Sequence, residues 1–183
     1  KTVSELDTAA RFSGPTHTRG DNASALIYAC AHADFGAIDR DRFDIIGITG
    51  TNGKTSVVWY ISNILFFSKR KVNSYGTLGF YKNNKKVEDS ILTTPEFETL
   101  YQKSFVKLKN DRCEFVFEVS SHSLSKKRIK NFPINVAALT NLSQDHLDFH
   151  KNITNYRNTK FKLFLEYLNK NGTAILNDKI KGI

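Results

Sequence analysis

The chain has 183 residues, of which 40% are hydrophobic and 25% charged, a composition typical of a folded, water-soluble domain. No apolar run approaches the roughly 20 residues of a membrane-spanning helix, and the acidic N-terminus lacks the apolar stretch of a signal peptide. The two cysteines, Cys30 and Cys113, lie far apart and have no metal-ligand spacing. We therefore expect a reduced, cytoplasmic setting.

The net charge of +9 is unevenly distributed. Residues 1–42 carry a small acidic excess, so the positive charge belongs to residues 43–183. We expect a boundary here, with 1–42 a segment of uncertain origin (a partial lobe or a linker) and 43–183 one domain. A solvated surface is the simplest explanation of the basic character of 43–183, and binding of an anionic small molecule or of nucleic acid is the alternative. Nucleic acid is not favoured, because the run "KNNKKVED" (82–89) lacks interleaved aromatic residues.

Strands and helices are predicted to alternate after residue 43. In chain order the predicted elements are a strand at 44–49, a helix that follows Lys54, a strand with a glycine turn at 71–81, a helix at 95–110 with Pro95 in its first turn, strands at 114–119 and 134–139, a helix at 155–170 that Asn171-Gly172 stops, and a strand from 173. This alternation predicts an α/β fold with a mostly parallel sheet and helices on both faces. Ligands of such folds bind at the carboxyl ends of the strands.

The stretch "ITGTNGKTSVVWY" (48–60) places a glycine turn between the first strand and its helix. The free N–H groups and positive end of the helix attract phosphate, Lys54 adds charge, and a hydroxyl can bind Mg²⁺. The usual pattern G-x-x-x-x-G-K-[ST] is not strictly met, because Ile48 occupies the first glycine position. We predict a nucleotide-binding loop formed by Gly50, Thr51, Asn52, Gly53, Lys54, Thr55 and Ser56.

Glu118 lies near the end of the apolar run "EFVFEV" (114–119), where a carboxylate can meet a metal-bound phosphate. A capping role in the next turn is the alternative. The following "SSHS" offers Ser120, Ser121 and His122 at the same sheet edge. A hydrolase is not favoured, because no G-x-S-x-G motif surrounds either serine.

The segment "TNLSQDHLDFH" (140–150) follows the next strand. His146 and His150 are four residues apart, the spacing of a zinc pair on a helix, but no general-base Glu or third ligand accompanies them. Magnesium beside phosphate is the favoured interpretation, but histidine is an unusual Mg²⁺ ligand, and the alternative is that these histidines are hydrogen-bonding residues of a loop.

Lys160 lies in the apolar stripe of the last predicted helix, together with Tyr156, Phe164 and Leu168. A lysine on a buried face extends its amine to solvent, is paired, or is chemically modified.

Five motifs in this order resemble the central ATP-binding domain of the Mur ligase family: "GITGTNGKTS", "TTPE", "FEVSSHSLSKKR", "TNLSQDHLDFH" and "NYRNTKFKLF". The resemblance spans about residues 44–178 and includes the glycine spacing of the phosphate loop. It implies a P-loop-like fold and the addition of the third amino acid to UDP-N-acetylmuramoyl-L-alanyl-D-glutamate in peptidoglycan synthesis. ATP would phosphorylate the free carboxylate, and the amine would attack the acyl phosphate, with Mg²⁺ as a cofactor.

The resemblance also implies roles for individual residues. The catalytic group would be Lys54, His146 and a carbamylated Lys160; residues 50–56 would bind ATP; Thr55, Glu118 and His146 would bind Mg²⁺; and Thr93, Thr94, Ser120, Lys126 and Arg128 would bind the UDP-muramoyl-dipeptide. Where the family usually has Gln two residues before its Arg, this chain has Lys126.

The partners implied are the UDP-muramoyl-dipeptide and an amino acid, with no nucleic acid, no membrane span and a monomeric state. The chain stops at Ile183, before the family's C-terminal domain, so we expect an incomplete enzyme. Two alternatives remain open: another Mur ligase or a folylpolyglutamate synthetase-like ligase, and a truncated ATP-binding module without activity. The identity of the third amino acid also stays open, because its selecting domain is absent.

Overall fold

A computed structural model describes residues 45–104, 113–129, 132, 134–145, 147–177 and 180. The predicted boundary at residue 42, Cys30 and His146 lie outside the described residues. In the part that the structure describes, no helix is long and apolar enough to cross a membrane.

Within the described residues, seven strands form one sheet in the spatial order β4-β3-β2-β5-β1-β6-β7. They are β1 (Ile45–Thr49), β2 (Val72–Gly76), β3 (Gly79–Lys82), β4 (Lys85–Glu88), β5 (Glu114–Glu118), β6 (Ile134–Leu139) and β7 (Leu168–Leu176). The five strands from β2 to β7 across the sheet are parallel, and β3 and β4 add an antiparallel edge. The predicted mostly parallel sheet is confirmed, so the carboxyl ends of β1, β5 and β6 share one edge.

The helices are α1 (Lys54–Phe67), α2 (Phe97–Ser104), α3 (Ser121–Ser125), α4 (Leu147–His150) and α5 (Ile153–Lys162), and a π-helical turn (Leu163–Tyr167) follows α5. Two apolar clusters form because alternate residues of the central strands face opposite ways. Ile46 and Ile48 of β1 pack in the cluster that contains α1, whereas Ile45 packs in the cluster that contains Leu124 and Leu163. Helices therefore cover both faces, as predicted.

Helix α1 buries the face that its apolar spacing predicts. Val57, Val58, Ile61 and Leu65 are buried, while Ile64 is only partly covered. Because α1 begins at the end of β1, this face fixes the glycine loop against the sheet.

Helix α2 begins at Phe97, and the Leu100 N–H donates to the Glu96 carbonyl. Pro95 therefore lies before the first turn rather than in it, which corrects the prediction. The predicted continuation through residues 105–110 lies outside the described residues.

The predicted helix at 155–170 was wrong at both ends. Helix α5 begins at Ile153, the helical conformation ends at Tyr167, and β7 runs from Leu168 through the Asn171-Gly172 pair that was expected to stop the helix. Pairing with β6 overrides the turn signal, because the register shifts between Ile134 and Val136 and accommodates the extra polar residues. A Cβ on Gly172 would lie 2.8 Å from the Asn135 carbonyl oxygen, so a glycine permits this close approach.

Candidate functional site

The loop at residues 50–53 joins β1 to α1 at the carboxyl edge of the sheet. Gly53 caps α1 with a φ of 81°, a left-handed conformation that glycine adopts without strain, and its carbonyl accepts the first helical bond from the Val57 N–H at 2.9 Å. The N–H groups of Lys54, Thr55 and Ser56 consequently have no acceptor within the helix. Together with the helix dipole they form an anion-binding site.

Gly50 provides the close contact between this loop and β6. Its φ is 147°, and a Cβ at this position would lie 1.9 Å from Thr140 Oγ1. Only glycine fits the loop at this point.

The segment after β6 holds the loop in place through a dense set of hydrogen bonds. Asn141 accepts from the Thr51 N–H through its carbonyl at 3.0 Å, and its side chain both accepts from the Asn52 N–H (3.0 Å) and donates to the Asn52 carbonyl (2.9 Å). Thr140 Oγ1 donates to the same carbonyl at 2.7 Å. Since the N–H groups of Thr51 and Asn52 are engaged, those at the start of α1 are left to face a ligand.

Lys54 is folded back onto its own loop. Its Nζ donates to the carbonyls of Gly50 (2.9 Å) and Thr51 (2.8 Å). Burial lowers the pKa of Lys54, and the carboxylates of Glu118 and Asp145 oppose this shift. A phosphate can replace the two carbonyls as the acceptor for this ammonium group.

Lys160 is fully inside the protein, 1% exposed, and its Nζ donates to the Gly50 carbonyl at 2.8 Å. The amine therefore does not extend to solvent. Burial first, and then the positive charge of Lys54, lowers the pKa of Lys160 from 10.5 to about 7, while Asp145 acts in the opposite direction. A substantial fraction of this amine is thus neutral near pH 7 and nucleophilic.

Asp145 lies close enough to affect the pKa of both lysines, and it is the residue before the predicted ligand His146. His146 itself lies outside the described residues. The second histidine of the considered zinc pair, His150, is buried against the Tyr156 and Phe149 rings at centroid distances of 5.1 and 4.7 Å. His150 therefore packs among aromatic rings.

Glu118 ends β5 and is 1% exposed. Its Oε1 accepts from the Thr77 N–H at 2.7 Å, and a Cβ on Gly76 would lie 2.2 Å from the same oxygen. A backbone donor and a glycine thus fix this carboxylate, which does not cap the turn that follows β5. Ser120 supplies that cap, because its Oγ accepts from the Ser123 N–H at 3.1 Å.

The predicted substrate residues Thr93, Thr94, Ser120 and Arg128 gather beside the end of β5. Thr94 Oγ1 donates to the Glu118 carbonyl at 2.8 Å and accepts from the Ser120 N–H at 2.9 Å. Arg128 donates to the Thr94 carbonyl at 3.3 Å and forms an ion pair with Glu96 at 2.7 Å. Thr93 approaches this group through Thr77, with 3.3 Å between their hydroxyl oxygens.

Lys126 is the exception within the predicted substrate set. It is exposed at the C-terminal end of α3, and within the described residues the structure shows no contact between its side chain and the cluster. Ser120 and His122, which a hydrolase could use as nucleophile and base, have other contacts. The Ser120 hydroxyl caps α3, and the His122 ring packs on Phe149 with a centroid distance of 4.2 Å.

Thr55 and Glu118 line one small pocket between α1 and the start of the β2–β3 turn. In the described ranges no group of three His, Cys, Asp or Glu side chains is placed to hold a metal ion. A hydroxyl and a carboxylate are nevertheless the oxygen donors that Mg²⁺ uses when phosphate oxygens and waters complete its coordination. The residues present therefore fit this ion in the company of a phosphate.

Sequence reasoning missed the residues that hold the loop rather than contact a ligand. Thr51 was assigned to the loop, but its partners Ser143 and Tyr156 were not identified as part of the site, and neither were Thr77 or Asn141. A polar "TNLS" directly after a buried strand is a signal that could have indicated the pairing, because it lies at the same sheet edge as the glycine loop.

The part of the chain that contains this site is similar to known proteins. The model of the Mur ligase middle domain matches residues 48–182. A curated relative from Rickettsia conorii, named UDP-N-acetylmuramoyl-L-alanyl-D-glutamate–2,6-diaminopimelate ligase, is 41% identical over 147 residues, which cover 76% of this chain and 30% of the relative. The chain thus spans about 30% of the length of the curated relatives that it matches.

Two solved structures share the fold. One is of a ligase with the same name; it has a TM-score of 0.62 and 24% identity and covers 88% of this chain and 32% of that chain. The other is of MurF ligase from Thermotoga maritima in complex with ADP, with a TM-score of 0.52 and 18% identity over 92% of this chain and 36% of that chain.

Proposed function

This chain belongs to the Mur ligase family, and from that membership we propose that it forms the central ATP-binding domain of a ligase that joins 2,6-diaminopimelate to UDP-N-acetylmuramoyl-L-alanyl-D-glutamate. The observation that carries the proposal is the loop at residues 50–53, where the side chains of Lys54 and the buried Lys160 both donate to the Gly50 carbonyl oxygen, beside the start of α1. The names of the relatives support the choice of substrates.

The loop would bind the phosphates of ATP. The N–H groups at the start of α1 would contact phosphate oxygens, and Lys54 would leave the Gly50 and Thr51 carbonyls to neutralise the charge on the transferred phosphoryl group. The phosphoryl group passes from ATP to the substrate carboxylate, which releases ADP. The amine of the amino acid then attacks the acyl carbon, phosphate leaves with the C–O electron pair, and the nitrogen loses a proton to give the amide.

The Thr55 hydroxyl and the Glu118 carboxylate would hold Mg²⁺, together with His146 as the family resemblance implies. When bound, this ion would neutralise phosphate charge during the transfer. Glu118 suits this task because the Thr77 N–H and Gly76 hold its carboxylate in one orientation.

Lys160 would act as a carbamate. Its neutral amine attacks the carbon of CO₂, an N–C bond forms while one C–O π pair moves onto oxygen, and the nitrogen releases a proton to solvent, so a neutral amine becomes an anionic carbamate. A pKa of about 7 supports this step, because the neutral amine is available at physiological pH. The new carboxylate would help to position the magnesium ion.

Thr93, Thr94, Ser120 and Arg128 would bind the UDP-muramoyl-dipeptide. Their mutual hydrogen bonds place two hydroxyls and a guanidinium beside Glu118. Lys126 would reach the substrate from the exposed end of α3. The C-terminal domain that selects the amino acid would lie in a part of the full-length protein outside this chain.

The test uses the full-length protein with ATP, Mg²⁺, the UDP-muramoyl-dipeptide and either 2,6-diaminopimelate or lysine. We expect phosphate release and an amide product only with 2,6-diaminopimelate, and loss of both in Lys54→Ala. Product formation with lysine alone would contradict the substrate assignment. Equal rates in the Lys54→Ala variant would contradict the role of the loop.

A further inference from the structure

Tyr156 links the phosphate loop to the helix that carries Lys160. It is completely buried in α5, one helical turn before Lys160. Its hydroxyl lies 3.2 Å from Thr51 Oγ1, and the Lys160 Nζ lies over its ring, 4.7 Å from the centroid. Neither the phosphate-binding function nor the motifs of the sequence assign it a role.

The hydrogen bonds of Thr51 identify Tyr156 as the donor. A threonine hydroxyl has one proton and two lone pairs. Thr51 Oγ1 donates to the Ser143 carbonyl at 3.1 Å and accepts from the Ser143 N–H at 3.0 Å. The remaining lone pair accepts the phenol proton of Tyr156, so the hydroxyl is fully satisfied. Burial raises the pKa of Tyr156, which keeps this proton in place.

The same two segments meet a second time at the neighbouring residue. The Lys160 Nζ donates to the Gly50 carbonyl at 2.8 Å. Helix α5 therefore contacts the loop at two consecutive residues, Gly50 through Lys160 and Thr51 through Tyr156. The ring of Tyr156 also packs against the Lys160 side chain, with 4.7 Å between its centroid and Nζ.

We propose that Tyr156 is a positioning residue of the phosphate site: its O–H fixes Thr51, and its ring supports Lys160, so that the loop and α5 keep one mutual arrangement. Its effect on the ligase reaction rests on the function proposed above. Its effect on the loop does not require that function.

The first measurement is amide hydrogen exchange, which needs no nucleotide. In Tyr156→Phe, the Ser143 N–H should exchange about fivefold faster than in the wild type, because its acceptor, Thr51 Oγ1, loses one of its three hydrogen bonds. Tyr167→Phe is the matched control, since Tyr167 is also largely buried but packs in the apolar cluster that contains Leu163. Equal exchange of the Ser143 N–H in the two variants would overturn the proposal.

The second measurement is steady-state kinetics of the full-length protein. Tyr156→Phe should raise KM for ATP about fivefold and leave kcat within twofold, because the loop contacts phosphate equally in the ground state and the transition state. In a Thr51→Val background, which lacks the acceptor, Tyr156→Phe should have no further effect on KM. An undiminished effect in that background would show that Tyr156 acts elsewhere and would overturn the proposal.

Hydrogen exchange and kinetics distinguish a failure of the Tyr156 proposal from a failure of the proposed ligase function. A wild type without ATP-dependent ligase activity would contradict the proposed function, while the exchange measurement would still decide the link between Tyr156 and Thr51.

Discussion

The phosphate loop and the Glu118 corner lie at the same edge of the sheet, but the protein builds them differently. In the loop, main-chain carbonyls accept hydrogen bonds from two lysine side chains, and Gly50 adopts a φ that other residues rarely reach. At Glu118, a main-chain N–H holds an anion, and Gly76 provides space in an ordinary strand conformation. The loop therefore depends on the fold of its backbone, whereas the corner depends on the position of one side chain.

The largest effect is expected from Gly50→Ala, which tests how far the loop depends on its backbone. The added methyl group would overlap Thr140 Oγ1, and the φ of 147° would become strained. We expect a loss of about 3 kcal/mol in the free energy of unfolding, measured by urea denaturation.

Gly53→Ala is the control for that change. Its φ is 81°, but among the described residues nothing beyond its own chain neighbours and the local helix backbone lies within 4 Å of the added Cβ. Gly53→Ala should lower the free energy of unfolding by only about 1 kcal/mol, because its sole penalty is the left-handed backbone conformation of the new alanine. Equal losses in the two variants would show that contact with Thr140 does not matter.

Gly76→Ala tests the corner. The new Cβ would overlap Glu118 Oε1 without backbone strain, so the carboxylate must move. We expect a loss of about 2 kcal/mol in the free energy of unfolding. In titration calorimetry with Mg²⁺ present, the loss in the free energy of nucleotide binding should be larger than this. Val72→Ala on the same strand, outside the pocket that contains Glu118, is the control. Unchanged Mg²⁺ dependence of nucleotide binding in Gly76→Ala would contradict the role of Glu118 as a metal ligand.

Lys160→Met tests the charge of the loop through pH. The pKa of Lys160 is lowered to about 7 in the folded state, so between pH 7 and 10.5 the unfolded chain holds a proton that the folded chain releases. Stability of the wild type should therefore rise with pH in this window, by at most about 1.4 kcal/mol per pH unit.

The pH series is measured by urea denaturation in CO₂-depleted buffer, which keeps the amine unmodified. In Lys160→Met, the free energy of unfolding should rise less steeply with pH, because the contribution of residue 160 to this slope is lost. An unchanged slope would mean that the buried amine keeps its ordinary pKa.

The smallest effect is expected from Ser120→Ala at the corner. The change removes the N-cap of α3 and should lower the free energy of unfolding by about 1 kcal/mol. Ser125→Ala, at the exposed end of α3, is the control, and equal values for both would contradict the capping role.

The positions of candidate site residues could be predicted from the sequence where the residue type itself indicates chemistry. They could not be predicted where a contact between distant segments brings the residues together. Lys54 and Glu118 were placed correctly at the sheet edge because each follows or ends an apolar strand. The contact of Tyr156 with Thr51 joins residues 105 positions apart, and no local pattern encodes such a contact.

The end of α5 shows the same limit for the fold. Asn171-Gly172 is a strong local turn signal, yet pairing of β7 with β6 places it inside a strand. The β4 strand, "KKVE", was not predicted either, because all four residues are exposed at the sheet edge and carry no apolar alternation.

The central claim is that the loop at residues 50–53 binds the phosphates of ATP. The most direct test is isothermal titration of the protein with Mg²⁺ and a non-hydrolysable ATP analogue, in the wild type and in Lys54→Ala. We expect saturable binding in the wild type and a large loss of affinity in the variant. No binding by the folded wild type, or equal affinity in both proteins, would contradict it.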